Sequence, residues 1–351
     1  VYLGRIDGHA AIVNSKAIQL AGIKAGDQLT GGEIVVHSPE GNTGRMLTAS
    51  PEFRGEPELT GLLIDNATNL VEAKIPSIDD ELYKKLMQQA EKNCFAVGLT
   101  GITDCGLPFT DVDLISKWQS ANEIQMRLNI LLSDEKRNFD YLINKGKIKT
   151  DRLQVQGFKM YGDGALGSRG ACLLHPYSDQ LNHRGFLLSS YSHFDSVAAL
   201  MYDKKFQLCT HAIGDSGNRT ILNIYAKHLE NKNDLRWRIE HAQVVNEKDF
   251  NSFGQYSIIP SIQPTHATSD MYWANERLGK DRIKGAYAYK QLLQQNGWLP
   301  LGTDFPVEDI SPFKTFYAAV IRKDAAGWPA NGFQTENALT RVEALRGMTI
   351  W

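Results

Sequence analysis

Four polar residues each close an apolar run: Lys159 in QGFKMYGDGALG, His211 in LCTHAIGD, His241 in RIEHAQ and Asp304 in LGTDFPV. Neutral imidazole is the commonest protein ligand for metal ions. Two histidines and an aspartate in equivalent places favour a divalent-cation site over unrelated strand-capping residues. Asp304 has a second use, because a carboxylate beside a metal can take a proton from water whose pKa the cation lowers from about 15.7 to about 7. The plain alternative is an Asx turn ahead of Pro306. Lys159 becomes a ligand only once burial or nearby cations depress its amine. In its neutral form it can react with CO₂ to give a carbamate that bridges two metals. A Schiff-base lysine and a salt-bridged strand lysine stay open for the same position.

Further candidates surround these four. RIDGHAAIVNS places Arg5, Asp7, His9 and Asn14 close together. His9 there is a substrate contact, or part of an ordinary turn before a helix capped at Asn14 or Ser15. His266 in QPTHATSD lines the site, or is a satisfied loop histidine. GDGALG (162–167) matches GxGxxG after a strand-like run. A dinucleotide site needs a helix opening directly on the glycines. Here they run into SRGACLLHPYSD, with Pro176 and no helical period. A dinucleotide-dependent oxidoreductase is therefore the weaker alternative, and a tight substrate-facing loop carrying Asp163, Ser168 and Arg169 the stronger one. No GxSxG elbow occurs.

These residues need elements to bring them together. Strand-like runs fall at 99–105, 124–132, 152–161, 205–211, 235–241, 256–264 and 298–304, bounded by Gly, Pro or Asp. Amphipathic stretches such as DSVAALMYDKK, GNRTILNIYAKHLENK and KGAYAYKQLLQQNG separate several of them. That alternation indicates a parallel sheet with helical crossovers. Seven strands are one short of a closed (β/α)8 TIM-like barrel, in which strand C-termini share one active face. The chain has no initiator Met and ends in EALRGMTIW within a helical pattern. It therefore reads as a piece of a longer protein whose first barrel strand precedes residue 1. On this reading residues 91–351 form barrel strands 2 to 8. Residues 1–90 are an insertion or cap ahead of the second strand, with a helix over NSKAIQLAGI, a turn at Gly31 and Gly32, and loop around PELTGLLIDNATNLV.

Composition limits the partners. The 351 residues are 42% hydrophobic and 22% charged, with a formal net charge of −2. This offers no electrostatic case for nucleic acid or an anionic membrane, and no apolar run approaches the roughly 20 residues that span a bilayer. A small-molecule substrate is expected. Homo-oligomerisation through strand edges beside the missing strand is a second expectation. Cys94, Cys105, Cys172 and Cys209 lie in no CxxC spacing. They read as buried thiols and point, weakly, to the cytoplasm.

Taken together, RIDGHAAIVNSKAIQLAGI, GDGALGSRGACLLHPYSD, THAIGDSGNR, RIEHAQ, QPTHATSDMYW and LGTDFPVEDISPF resemble the YtcJ-like branch of the amidohydrolase superfamily, which includes N-substituted formamide deformylase. The resemblance runs from residue 5 to about 349. It implies a distorted (β/α)8 barrel beside a small β-sandwich built from both chain ends. It also implies one or two divalent metal ions, zinc first. These are held by an HxH pair on the first strand, a strand-four lysine open to carboxylation, two further histidines and a strand-eight aspartate. By position the last four are similar to Lys159, His211, His241 and Asp304. No HxH occurs in this sequence; the nearest miss is Thr265-His266-Ala267. The implied reaction is hydrolysis of a C–N bond, of amide or N-formyl type, by metal-activated water, with Asp304 carrying the proton to the leaving amine. The missing HxH sets a catalytically silent barrel beside it as the alternative.

Overall fold

In the computed structural model, which describes residues 1–37 and 58–351, the chain builds two sheets of opposite logic. The first is antiparallel, in the order β1-β2-β4-β3. It comprises β1 (Tyr2–Gly4), β2 (Ala10–Val13), β3 (Gly32–His37) and β4 (Glu58–Asp65), with α1 (Ser15–Ala21) and α2 (Asn69–Glu72). The Asn14 side chain caps α1 by accepting from the Ala17 N–H at 3.1 Å, as the sequence suggested. Val13, Ala17, Leu63, Ala67 and Val71 close one small core, and Ala10, Val35 and Ile64 close another with Phe186 against them.

The stretch expected to be loop, PELTGLLIDNATNLV, is β4 and α2 from Glu58 onward; Pro57 lies outside the described residues. Leu63 and Ile64 are adjacent and both buried, one in each small core, so β4 shows none of the alternation of a half-buried strand. Gly61 hides it further. A Cβ there would sit 2.3 Å from the Val13 carbonyl oxygen, so only glycine lets the two backbones pass.

The second sheet is parallel. After α3 (Asp80–Ala96) come β5 (Gly101–Leu107), α4 (Phe109–Ser120), β6 (Arg127–Ser133), α5 (Lys136–Lys145), β7 (Ile148–Lys149) and β8 (Leu153–Tyr161). Then follow α6 (Tyr191–Lys204), β9 (Gln207–Ala212), α7 (Asp215–Leu229), β10 (Arg238–His241), α8 (Phe250–Gln255) and β11 (Ile259–Ser261). The chain continues through α9 (Pro264–Asp270), α10 (Ala274–Arg282), α11 (Tyr289–Asn296), α12 (Pro312–Ile321) and α13 (Arg341–Thr349). The strand order is β5-β6-β8-β9-β10-β11, with β7 a short antiparallel flap on β8. Parallel strands laid down in chain order with helical crossovers give a curled half-barrel of the TIM type.

Two expected strands come out differently. The run at 256–264 keeps only β11, because Pro260 falls inside it and Pro264 opens α9. The run at 298–304 makes one parallel bridge, Leu301 to Ile262. Pro300 has no N–H to give a ladder, and Asp304 turns away with φ 58°. Among the described residues β5 pairs with β6 alone. A cavity of about 760 Å³, lined in part by β5 and by residues 300–305, reaches Lys159, Glu240, His241 and Asp304.

The glycine motif after β8 opens no helix. The chain runs through turns and bends until α6 begins at Tyr191, so it offers no N-terminus for a pyrophosphate. Under the site, Trp237 is fully buried, donates from Nε1 to the Phe206 carbonyl at 3.0 Å and packs edge-on against Tyr225. The buried Asn218 amide reaches the carbonyls of Ala212, Gly214 and Val244 at 3.0–3.1 Å, tying together the loops that follow β9 and β10.

Candidate metal centre

Strand register places the side chains. Tyr161 of β8 is level with His211 of β9, and His241 of β10 is level with Ala212. The three histidines at the ends of β9 and β10 and at the start of α9 form a row. Ring centroids lie 4.6 Å apart for His211 and His241 and 5.6 Å apart for His241 and His266. His9, from the antiparallel sheet, extends the row, 4.9 Å from His211. A carboxylate stands at each end. Asp65 Oδ1 is 2.5 Å from His9 Nδ1, and Asp304 Oδ2 is 3.6 Å from His266 Nε2.

Among the described residues His241, His266 and Asp304 each offer a ligand atom, all within 4.8 Å of one another. His241 Nδ1 bonds Gln263 Oε1 at 2.7 Å, leaving its Nε2 for another partner. Such an outer hydrogen bond is what orients a ligating imidazole. The Nε2 atoms of His211 and His266 are buried with no hydrogen-bond partner. An orphaned buried nitrogen is costly unless something satisfies it, and a cation would do so. Charge agrees. Burial, with the neighbouring His241, His9 and Lys159, holds His211 well below the ordinary imidazole range. Burial first, then Lys159, takes His241 down to about 4. Burial takes His266 to about 4 despite the opposing pull of Asp304. All three are neutral near pH 7, the form a metal requires. Asp304 keeps 37% of its side chain exposed. Desolvation by its surroundings raises its carboxyl, opposed by His266 and Lys159. These residues fit a divalent cation.

Lys159 sits two residues before Tyr161 on β8, level with Cys209, and so lies deeper than the imidazoles. Its Nζ rests 3.7 Å from the Tyr161 ring centroid. Burial pulls its pKa down, but Tyr161, Cys105, Glu240 and Asp304 outweigh it and hold the amine protonated. The sequence reading asked for a depressed amine; here the shift runs the other way, with Tyr161 and Cys105 first and Glu240 and Asp304 after them outweighing burial. On β10, Arg238 is level with Cys209 and so with Lys159, and its Nε pairs with Glu240 Oε1 at 2.7 Å.

Asp163 and Arg169, expected to face substrate, both hold the loop together, and Asp163 Oδ1 also lies 3.8 Å from His211 Nε2. Asp163 is fully buried and accepts from the backbone N–H groups of Cys172, Ile213 and Gly214 at 2.8–2.9 Å. Burial still pushes its carboxyl up to about 7. Arg169 is fixed on Asp179 through two hydrogen bonds, at 3.1 and 2.6 Å. His9 and His266 do reach the row. Ser168 is buried, its hydroxyl on the Ala165 carbonyl. Sequence reasoning missed Asp65. Its signal lay in the glycines, because a Cβ at Gly164 would come within 2.3 Å, and one at Gly170 within 2.2 Å, of Asp65 Oδ2.

Imidazoles and a carboxylate thus gather where the curled parallel strands end, the face on which barrels of this type carry their sites. The chain belongs to the amidohydrolase family: the family profile (Amidohydro_3, amidohydrolase family) matches residues 1–351. It is 28% identical over 351 residues to the putative amidohydrolase YtcJ of Bacillus subtilis (strain 168), covering 99% of this chain and 63% of that protein. It is 32% identical over 337 residues to Protein LONG AFTER FAR-RED 3 of Arabidopsis thaliana, covering 92% of this chain and 55% of the relative. The chain thus spans somewhat over half the length of these relatives. In structure it is similar to an uncharacterized metal-dependent hydrolase from Pyrococcus horikoshii OT3, with TM-score 0.76 and 22% identity over 100% of this chain and 66% of the other.

Proposed function

We propose that the chain carries the chemistry of a metal-dependent hydrolase acting on C–N bonds of amide or N-formyl type, on a small-molecule substrate. The observation that carries this reading is the meeting of His241, His266 and Asp304 beside buried, unpartnered imidazole nitrogens. In this reading His211, His241 and Asp304 hold a divalent ion, with His266 as an added donor. Zinc suits a site of nitrogen and oxygen donors. When bound, the ion supplies Lewis acidity and acidifies water. Asp304, the exposed member of the set, accepts the proton on a carboxylate oxygen and passes it to the departing nitrogen. His266 Nε2 stands 3.6 Å from that carboxylate, near enough to share an ion with it. Lys159 neutralises Glu240 and Asp304 as an ammonium. Lys159 would lose that charge more readily beside a bound dication, and its neutral amine would be the form open to carboxylation.

The test pairs elemental analysis with turnover of an N-alkylformamide. Asp304→Asn is expected to lower turnover at least ~100-fold with the circular dichroism unchanged. Near-normal turnover would remove Asp304 from the proton path, and wild-type protein that takes up no metal would sink the whole reading. A second reading, a catalytically silent barrel, draws on the absence of any HxH in the sequence and on β5 pairing with β6 alone among the described residues. Stoichiometric metal without turnover of any amide or formamide would favour it.

A further inference from the structure

Asp65 and His9 belong to the antiparallel sheet, yet they stand at one end of the imidazole row. Asp65 closes β4 in the left-handed conformation, φ 48°, with its side chain fully buried. A non-glycine residue stays in that region only when its surroundings hold it there. Those surroundings are the Cα atoms of Gly164 and Gly170, packed so tightly that neither position has room for a methyl group beside Asp65 Oδ2. The backbone ties the two residues a second time, with the Asp65 N–H donating to the His9 carbonyl at 3.1 Å. The His9 N–H in turn donates to Asp7 Oδ1 at 3.2 Å.

The chemistry follows from the hydrogen bond at 2.5 Å between Asp65 Oδ1 and His9 Nδ1. An ionised carboxylate only accepts. Nδ1 therefore carries the proton, and in the neutral ring Nε2 carries a lone pair. The His9 side chain keeps 13% of its surface open. It stands beside His211, close enough to His241 and Asp304 to act on their charge. We infer that Asp65 is a positioning residue that fixes the His9 tautomer, so that Nε2 faces the centre as a hydrogen-bond acceptor. The pair thereby selects substrates that bring an N–H or O–H donor: a secondary amide or formamide over its fully N-alkylated counterpart. The substrate class rests on the hydrolase reading; the tautomer does not.

Imidazole nitrogen NMR on the full chain above pH 8, with His9→Gln to assign the resonance, tests this. The expected wild-type state is Nδ1–H with a bare Nε2, against the preference of free imidazole. An N-alkylformamide should shift the Nε2 resonance and its N-methylated counterpart should not. Asp65→Ala should move His9 to the Nε2–H form, with Asp65→Asn as a shape-preserving control that relaxes it part-way. A wild-type His9 already in the Nε2–H form overturns the inference, as does an equal response to both formamides or to neither. Metal content separates this from the wider reading. His9→Gln should keep the wild-type content while His241→Ala loses it. Loss in His9→Gln would make His9 a ligand through Nε2 and overturn its acceptor role. If the tautomer holds but the wild-type chain takes up no metal, the hydrolase reading fails and the Asp65–His9 pairing stands.

Discussion

If Asp65 is a plug seated in the barrel, Gly170→Ala should break the seat and removing the plug should repair it. The new methyl carbon would lie 2.2 Å from Asp65 Oδ2, far inside the roughly 3.5 Å of van der Waals contact. Gly170 does not have a positive φ, so alanine adds no backbone strain of its own. Overpacking costs about 1–3 kcal/mol. Pushing Asp65 aside also strains its charged hydrogen bond to His9, worth about 1.5–3 kcal/mol. Gly170→Ala alone should therefore cost about 2–5 kcal/mol. Asp65→Ala alone should cost about 2–3 kcal/mol through the lost bond. In the Asp65→Ala background the methyl occupies vacated space, and the second substitution should cost less than about 1 kcal/mol. The coupling in the double-mutant cycle is then at least about 1 kcal/mol, above the 0.3–0.5 kcal/mol scatter of independent sites. Urea unfolding followed by circular dichroism, in chelator, measures all four proteins. Additive costs would show that Asp65 and Gly170 do not touch and would refute the seat.

Three further outcomes follow from geometry already described. Burial, with Glu308 and Asp7 adding, raises Asp270 from 3.8 to about 7 against hydrogen bonds from Tyr287 and Gln243. A raised carboxyl stabilises fully below its unfolded pKa and loses that contribution as pH climbs through its folded one. The stability of wild type relative to Asp270→Asn should thus fall between pH 4 and 7, by at most ~1.4 kcal/mol per unit; a flat difference in urea melts would contradict it. Trp237→Phe leaves the buried Phe206 carbonyl unpaired and a void beside Tyr225, costing about 2–4 kcal/mol; a loss under 1 kcal/mol by chemical denaturation would disprove that packing. Arg169→Ala should cost at most about 1 kcal/mol, because Arg277 still pairs with Asp179, and should leave KM alone; a raised KM at unchanged stability would return Arg169 to the substrate.

The parallel half of the fold was legible because β8 and β9 are largely buried and run directly into polar residues at the strand ends. LRWRIEH and QLCTHA announce themselves by apolar residues that stop at a histidine and a turn. The antiparallel half was not, because ELTGLLID buries adjacent residues in different small cores and carries a glycine where another strand crosses. At the centre, chain order singled out His211, His241 and Asp304, which lie near one another in the fold, but not the depth of Lys159, since two residues along a strand decide which layer a side chain occupies. Nor could it show that Arg169 would find Asp179. His266 was visible as a histidine near the site, yet its closeness to Asp304 depends on Pro264 starting a helix at once after β11. Asp65 left no trace in its own neighbourhood; only the demand for small residues at 164 and 170 betrays it.

That plug also sets when the centre comes into being. The βα units close short loops, whereas the Asp65–His9 bond joins residues 56 apart and the neighbouring Asn66–Leu188 bond joins residues 122 apart. Long loop closures carry the larger entropy cost and form after local contacts have accumulated. The imidazole row is therefore complete only once both sheets have docked. An ion held by His211, His241 and Asp304 would stabilise the parallel half by mass action, so a rise in melting temperature on adding metal would report the order of that half, whereas the His9 tautomer reports that both sheets have docked.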